Sequence, residues 1–101
     1  MDTIKQILKQ TLAGYTGEGL NGYSYLTSTP DEQIFTSVSV GVHHGKQFAF
    51  VDLLVRLVGD YIVIDRDANS APLFEALVDA GIPRRQIVLT YAGEVVPEPI
   101  A

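Results

Sequence analysis

The residues of this sequence that could carry chemistry are a histidine pair and a short acidic stretch. His43 and His44 are adjacent, but neighbouring strand residues point to opposite faces and the usual spacing of metal ligands is absent. We interpret the pair as an exposed turn. Asp65, Asp67 and Asn69 alternate like the start of a calcium loop. The glycine and the glutamate that complete such a loop do not follow, so we interpret the stretch as a helix-initiating loop rich in capping residues.

The segment from Gly14 to Gly22 holds four glycines in nine residues. Loops that cradle a phosphate follow a strand and open a helix, whereas these glycines follow a helical pattern and precede no Lys-Ser or Lys-Thr pair. We interpret them as a helix exit and turn. No nucleophile–base pair can be assembled elsewhere, so the sequence predicts no catalytic residue, no cofactor and no metal site.

Length and charge limit the function further. The chain has 101 residues, 12 of them acidic and 7 basic, with a formal net charge of −5, and its length predicts one domain over residues 1–101. Strong direct nucleic-acid binding needs concentrated lysine and arginine, but only Arg84 and Arg85 are adjacent. An acidic surface instead suits a basic partner.

The expected compartment is the cytoplasm. There is no cysteine, hence no disulfide framework, and the N-terminal residues contain no signal-peptide core. Asp52, Arg56 and Asp60 interrupt the longest apolar run. No membrane-spanning helix is therefore expected.

Residues 60–91 predict a strand, a helix and a second strand. Ser70 is the expected N-cap, and Pro72 is tolerated in a first helical turn. Gly81 can adopt the left-handed conformation that ends a helix, and Pro83 prevents its continuation. The predicted strands cover residues 61–64 and 86–91, and the helix between them has an apolar face of Leu73, Phe74, Leu77 and Val78.

The first sixty residues predict an amphipathic helix followed by three strands. Asp2 or Thr3 can cap the helix. Its apolar stripe consists of Ile4, Ile7, Leu8, Leu12 and Tyr15. The strands cover residues 23–27, 33–42 and 47–58, joined by turns near residues 29–32 and 43–46.

This order predicts an α+β fold: an antiparallel β-sheet meander with an N-terminal helix and a helix inserted before the last strand. Short turns favour a meander over parallel crossovers. The last strand follows a helix and can pair in either direction. Prolines 97 and 99 predict an extended tail.

The third strand, residues 47–58, predicts an interface. Its odd-numbered face (Ala49, Val51, Leu53, Val55, Leu57) is wholly apolar and is expected to face the core. Its even-numbered face, the candidate protein interface, consists of Phe48, Phe50, Asp52, Leu54 and Arg56. Asp52 and Arg56 are expected to form an exposed ion pair, and Ser37 and Ser39 to be ordinary outer-face residues. Either the N-terminal helix covers the aromatic face or, as we expect, that face forms a two-fold homodimer.

The run from Tyr61 through Leu73–Pro83 to Gln86–Leu89 resembles the C-terminal half of the XisI family, named for the fdxN element excision controlling factor of cyanobacteria. The chain departs from the family at Gly41-Val42, where an aromatic residue is common, and in its tail, which lacks basic and aromatic residues. The resemblance implies a non-enzymatic regulator of programmed DNA excision that acts with a XisH-like protein partner. There are two alternatives. One is an antitoxin-like or immunity-like inhibitor of a nuclease-like partner, and the other is a small-molecule-binding or hydrolytic enzyme.

Overall fold

The computed structural model describes residues 3–19 and 22–97. The helices are α1 (Thr3–Ala13) and α2 (Leu73–Asp79). The strands are β1 (Gly17–Glu18), β2 (Gly22–Ser28), β3 (Ile34–His43), β4 (Lys46–Val58), β5 (Tyr61–Asp67) and β6 (Ile87–Leu89). Short 3-10 turns cover Arg84–Gln86 and Thr90–Ala92.

The strands form one six-stranded sheet in chain order. β1 to β5 pair antiparallel, whereas β6 pairs parallel to β5. The predicted α+β meander, with one helix before it and one before the last strand, is confirmed. The sequence did not predict β1, which is only two residues long. β6 is parallel because α2 carries the chain back along the sheet before it pairs.

Both helices pack on the same face of the sheet. Their buried residues join those of β3 to β6 in one cluster, which consists of Leu8, Leu12, Phe35, Leu53, Val55, Ile62, Ile64, Leu73, Leu77, Ile82, Ile87 and Leu89. Ile4, Ile7 and Tyr15 pack against this cluster, so the predicted stripe of α1 is confirmed.

The predicted end of α2 and the predicted turn between β3 and β4 are confirmed. Gly81 has φ 107°, its N–H donates to the Val78 carbonyl at 3.0 Å, and the Ile82 N–H donates to the Leu77 carbonyl at 3.0 Å, the two bonds of a Schellman motif. At the β3–β4 turn, His44 (φ 51°) and Gly45 (φ 75°) both have positive φ, as the commonest two-residue hairpin requires.

Three predicted boundaries were wrong. β5 extends to Asp67, whereas the sequence predicted a strand over residues 61–64 followed by a loop. Ser70 does not cap α2; the helix begins after Pro72, and the Asp67 carboxylate accepts from the Leu73 N–H at 2.7 Å. The cap thus comes from the end of β5, since the loop between β5 and α2 brings the start of the helix back to Asp67. The last strand ends at Leu89 rather than at residue 91. The possible cap at Asp2 and the tail beyond residue 97 lie outside the described residues.

Candidate protein interface

A bulge in β4 decides which side chains share a face. Ser37 pairs with Leu53, whereas the next residue, Val38, pairs with Val51. Asp52 therefore has no partner on β3. Since side chains alternate with a period of two, one inserted residue exchanges the faces of the strand beyond it.

The candidate residues therefore lie on two faces. Phe50 pairs with Ser39, on the face of β3 that carries buried Phe35, so it belongs to the helix side of the sheet, as does Phe48. Leu54 and Arg56 pair with residues 36 and 34 and lie on the opposite face. The prediction that these residues share one face was wrong because the alternation was extended through the bulge.

The odd-numbered face was also predicted incorrectly beyond the bulge. Leu53 and Val55 are fully buried in the core, as expected. Ala49 and Val51 instead lie on the face without helices and are exposed. The core side of β4 changes from odd-numbered to even-numbered residues at Asp52.

Arg56 pairs with Asp65 rather than with Asp52. Its Nε and a second guanidinium nitrogen donate to the two Asp65 oxygens at 2.5 and 3.1 Å. Asp65 is the extra residue of a second bulge, between β4 and β5, and also accepts from the Thr90 hydroxyl at 2.6 Å. The Arg56 hydrogen bond lowers the pKa of Asp65, and the Thr90 hydrogen bond lowers it further against the opposing effect of burial. The predicted exposed ion pair between Asp52 and Arg56 was wrong.

Polar residues instead form a buried group on the helix side. Asp52 is 7% exposed and Ser37 is 1% exposed, so Ser37 is not an outer-face residue. The Ser39 hydroxyl, which is part-buried, donates to Asp52 Oδ2, and the Ser24 and Ser39 hydroxyls are 2.6 Å apart. Asp52 Oδ1 and Ser37 Oγ have no hydrogen-bond partner within the described part of the chain.

The β3–β4 hairpin extends beyond the helices. The molecule measures 52 × 28 × 27 Å, and thirteen-residue β4 is about 43 Å long at about 3.3 Å per residue. Burial falls along the strand: Leu53 is fully buried, whereas the residues from Lys46 to Val51 are exposed or, at Phe48, half-buried. This half of the hairpin is therefore largely exposed on both faces.

The sheet face opposite the helices is apolar and exposed. We call it the open face; its residues on β2, β3 and β4 pair with one another across the strands. Tyr23 is 49%, Val42 50% and Val51 36% exposed. The open face consists of Tyr23, Tyr25, Val38, Val40, Val42, Ala49 and Val51.

A cleft of about 670 Å³ lies on the other side of the hairpin, where α1 ends. We call it the aromatic cleft. Tyr15, Phe48 and Phe50 supply its aromatic walls, and Ser24 and Ser39 line it as well. The Phe48 and Phe50 ring centroids are 5.9 Å apart.

The histidine pair lies at the exposed tip of the hairpin, as predicted, with the His43 and His44 ring centroids 4.1 Å apart. No group of three or more potential metal ligands occurs among residues 3–19 and 22–97. In the same residues, no helix is long and apolar enough to cross a membrane.

The sequence did not predict the open face, because its residues lie on three different strands. Tyr23 and Tyr25 pair with Val40 and Val38, so the aromatic and β-branched residues join only once the strands pair. The alternation of Val38, Val40 and Val42 was the signal that could have indicated this face.

One sheet, two helices on one side and an exposed hairpin define a small α+β protein with exposed apolar residues on its sheet. The XisI protein family model matches residues 1–98, so the chain belongs to the XisI family. No curated protein matches it.

Two solved structures from Anabaena variabilis ATCC 29413 share the fold. A XisI-like protein is 19% identical, covers 85% of this chain and 78% of its own, and has a TM-score of 0.64. The fdxN element excision controlling factor XisI is 19% identical, covers 88% of this chain and 80% of its own, and has a TM-score of 0.59. The resemblance to the XisI family is confirmed.

Proposed function

We propose that this chain is a non-enzymatic, cytoplasmic regulatory protein that acts by binding another protein through the β3–β4 hairpin. The observation that carries the proposal is the exposed apolar surface on both sides of this hairpin. Contiguous exposed apolar residues mark interaction sites in soluble proteins, and tyrosine and phenylalanine are enriched at interfaces. Phe48 and Phe50 remain proposed contact residues, on the side of the aromatic cleft.

The process we propose is the control of DNA element excision, together with a XisH-like protein. Membership of the XisI family supports this role, since a solved protein of the same fold is the fdxN element excision controlling factor XisI. The acidic character of the chain, with net charge −5, favours a partner with a basic surface. It also supports a second candidate, an immunity-like inhibitor that covers the nucleic-acid-binding surface of a nuclease-like partner.

In the absence of the partner, we propose that two copies of the chain associate through their open faces in a two-fold dimer. A two-fold axis places the same surface on both subunits, so an apolar sheet face needs no second surface to complement it. Arg56 and Asp65, at the margin of this face, supply part of a polar rim.

The test is co-expression with the XisH-like protein of the same genome, followed by capture through a tag on that partner. Val51→Glu places a charge on the open face and is expected to reduce capture and to convert the dimer to a monomer in light scattering. Val78→Glu is the matched control because Val78 is similarly exposed, at 40% against 36% for Val51, but lies on α2. A monomer at tens of micromolar refutes the dimer. Equal capture of both variants refutes the open face as the binding surface.

A further inference from the structure

The hydrogen bonds beneath the aromatic cleft have one direction. The Ser39 hydroxyl donates its only proton to the Asp52 carboxylate, and an ionised carboxylate can only accept. Since Ser24 and Ser39 are within hydrogen-bond distance, at 2.6 Å, the Ser24 hydroxyl must be the donor of that pair. The hydroxyl protons of Ser24 and Ser39 therefore both point toward Asp52.

This direction determines what the cleft offers to a ligand. Ser24 and Ser39 line it, and each has only lone pairs left to present. Lysine and arginine side chains are donors without acceptors, so they match this surface, whereas a phosphate or a carboxylate does not.

Charge and aromatic walls favour the same ligand. Among the described residues that line the cleft, there is one carboxylate, Glu18, and no lysine or arginine. Burial raises the pKa of the Tyr15 hydroxyl, and the negative charges of Asp67 and Glu75 raise it further, so these two carboxylates contribute negative potential at this wall. Aromatic faces attract a cation, and guanidinium in particular stacks on them.

Asp52 has a further reason to take a cationic partner. It is 7% exposed, and its Oδ1 has no donor among the residues that the structure describes. A buried carboxylate with incomplete hydrogen bonding is costly, and a nearby positive charge offsets that cost.

We propose that the aromatic cleft binds an arginine side chain from a basic segment of a protein partner. The occupant belongs to a protein because the cleft lies on the hairpin that carries the proposed interface, and a basic segment complements the net charge of −5. The inference rests on the proposed function for the identity of the partner, but the site itself can be tested without it.

The experiment is an NMR titration of the full chain with a peptide of alternating arginine and glycine. The same peptide with citrulline, a neutral analogue of arginine, is the control. We expect the arginine peptide to shift the signals of Tyr15, Ser39 and Phe50, and the citrulline peptide to leave them unchanged. Equal shifts with both peptides, or arginine-peptide shifts confined to the open face, overturn the proposal.

Two variants test the chemistry. Asp52→Asn is expected to weaken peptide binding at least about tenfold, because its amide donates to Ser39 and releases the serine proton toward the cleft. Asp60→Asn, an equal charge change in an exposed turn, is expected to leave binding unchanged. Equal weakening by both variants shows net-charge attraction only and overturns the site. If Asp52→Asn does not fold, Phe50→Leu decides: Phe50 is 44% exposed, and loss of its ring is expected to weaken binding about fivefold.

The partner experiment separates this inference from the proposed function. If the tagged XisH-like protein does not capture this chain but the arginine peptide binds the cleft, the proposed function fails and the site stands. If the tagged partner captures the parent chain and a folded Asp52→Asn variant equally, the site does not serve that partner and the inference fails.

Discussion

Removal of the Ser37 hydroxyl is expected to stabilise the protein. Ser37 is 1% exposed and its Oγ has no hydrogen-bond partner within residues 3–19 and 22–97. By mutational data, burying an unpaired hydroxyl costs about 1–3 kcal/mol. Ser37→Ala removes that cost and leaves a space of one oxygen atom, worth roughly 0.5 kcal/mol at about 24 cal/mol per Å³. The expected net gain is about 1 kcal/mol.

Ser39→Ala is the matched control, because it makes the same substitution two residues away on the same face of β3. The Ser39 hydroxyl contacts both Ser24 and Asp52. Its loss leaves Asp52 without that donor, and a hydrogen bond to a charged group is worth about 1.5–3 kcal/mol. The two variants, which share any change in strand propensity, are therefore expected to differ by about 2.5–4 kcal/mol.

The assay is urea unfolding followed by circular dichroism at one protein concentration. The midpoint of Ser37→Ala is expected to rise with an unchanged m-value, and in thermal unfolding its Tm is expected to rise by about 4–8 °C. If Ser37→Ala lowers the midpoint as much as Ser39→Ala does, the Ser37 hydroxyl is bonded in solution and the reasoning is refuted.

Three further predictions concern the core, the ion pair and DNA. Leu53→Ala, at a fully buried position, is expected to cost about 2–5 kcal/mol in urea unfolding, and an equal cost for half-buried Leu54→Ala would contradict the placement of these two residues on opposite faces of β4. Asp65→Asn is expected to lose about 1 kcal/mol of folding stability at neutral pH, a value discounted because the Arg56 side chain is 39% exposed. Since the folded state lowers the pKa of Asp65, this stability is present above pH about 4 and is lost as the pH falls through the folded-state pKa. Parent and variant are therefore expected to converge in acid, and a difference that persists there refutes the assignment. Fluorescence anisotropy with duplex DNA is expected to show no salt-sensitive binding near physiological salt, because the net charge is −5; sub-micromolar binding that weakens with added salt would contradict this.

Most of the fold was predictable because its signals are local. The stripe of α1, the stop at Gly81 and the turn at His44-Gly45 each depend on residues within a few positions of one another. The candidate interface was only partly predictable. The sequence identified Phe48 and Phe50 as apolar residues that need a cover, but it did not locate the face on which they lie.

The sequence by itself determined the helices, the hairpins and their order, since periodicity and turn chemistry act within one segment. Only the tertiary structure decided the positions of Asp52 and Asp65 as bulge residues, the burial of Ser37 and the parallel pairing of β6. A bulge exists only relative to the strand that pairs with it, and one unpaired residue exchanges the two faces of everything beyond it. The composition of the open face and of the aromatic cleft therefore depends on register, which no strand of this chain specifies alone.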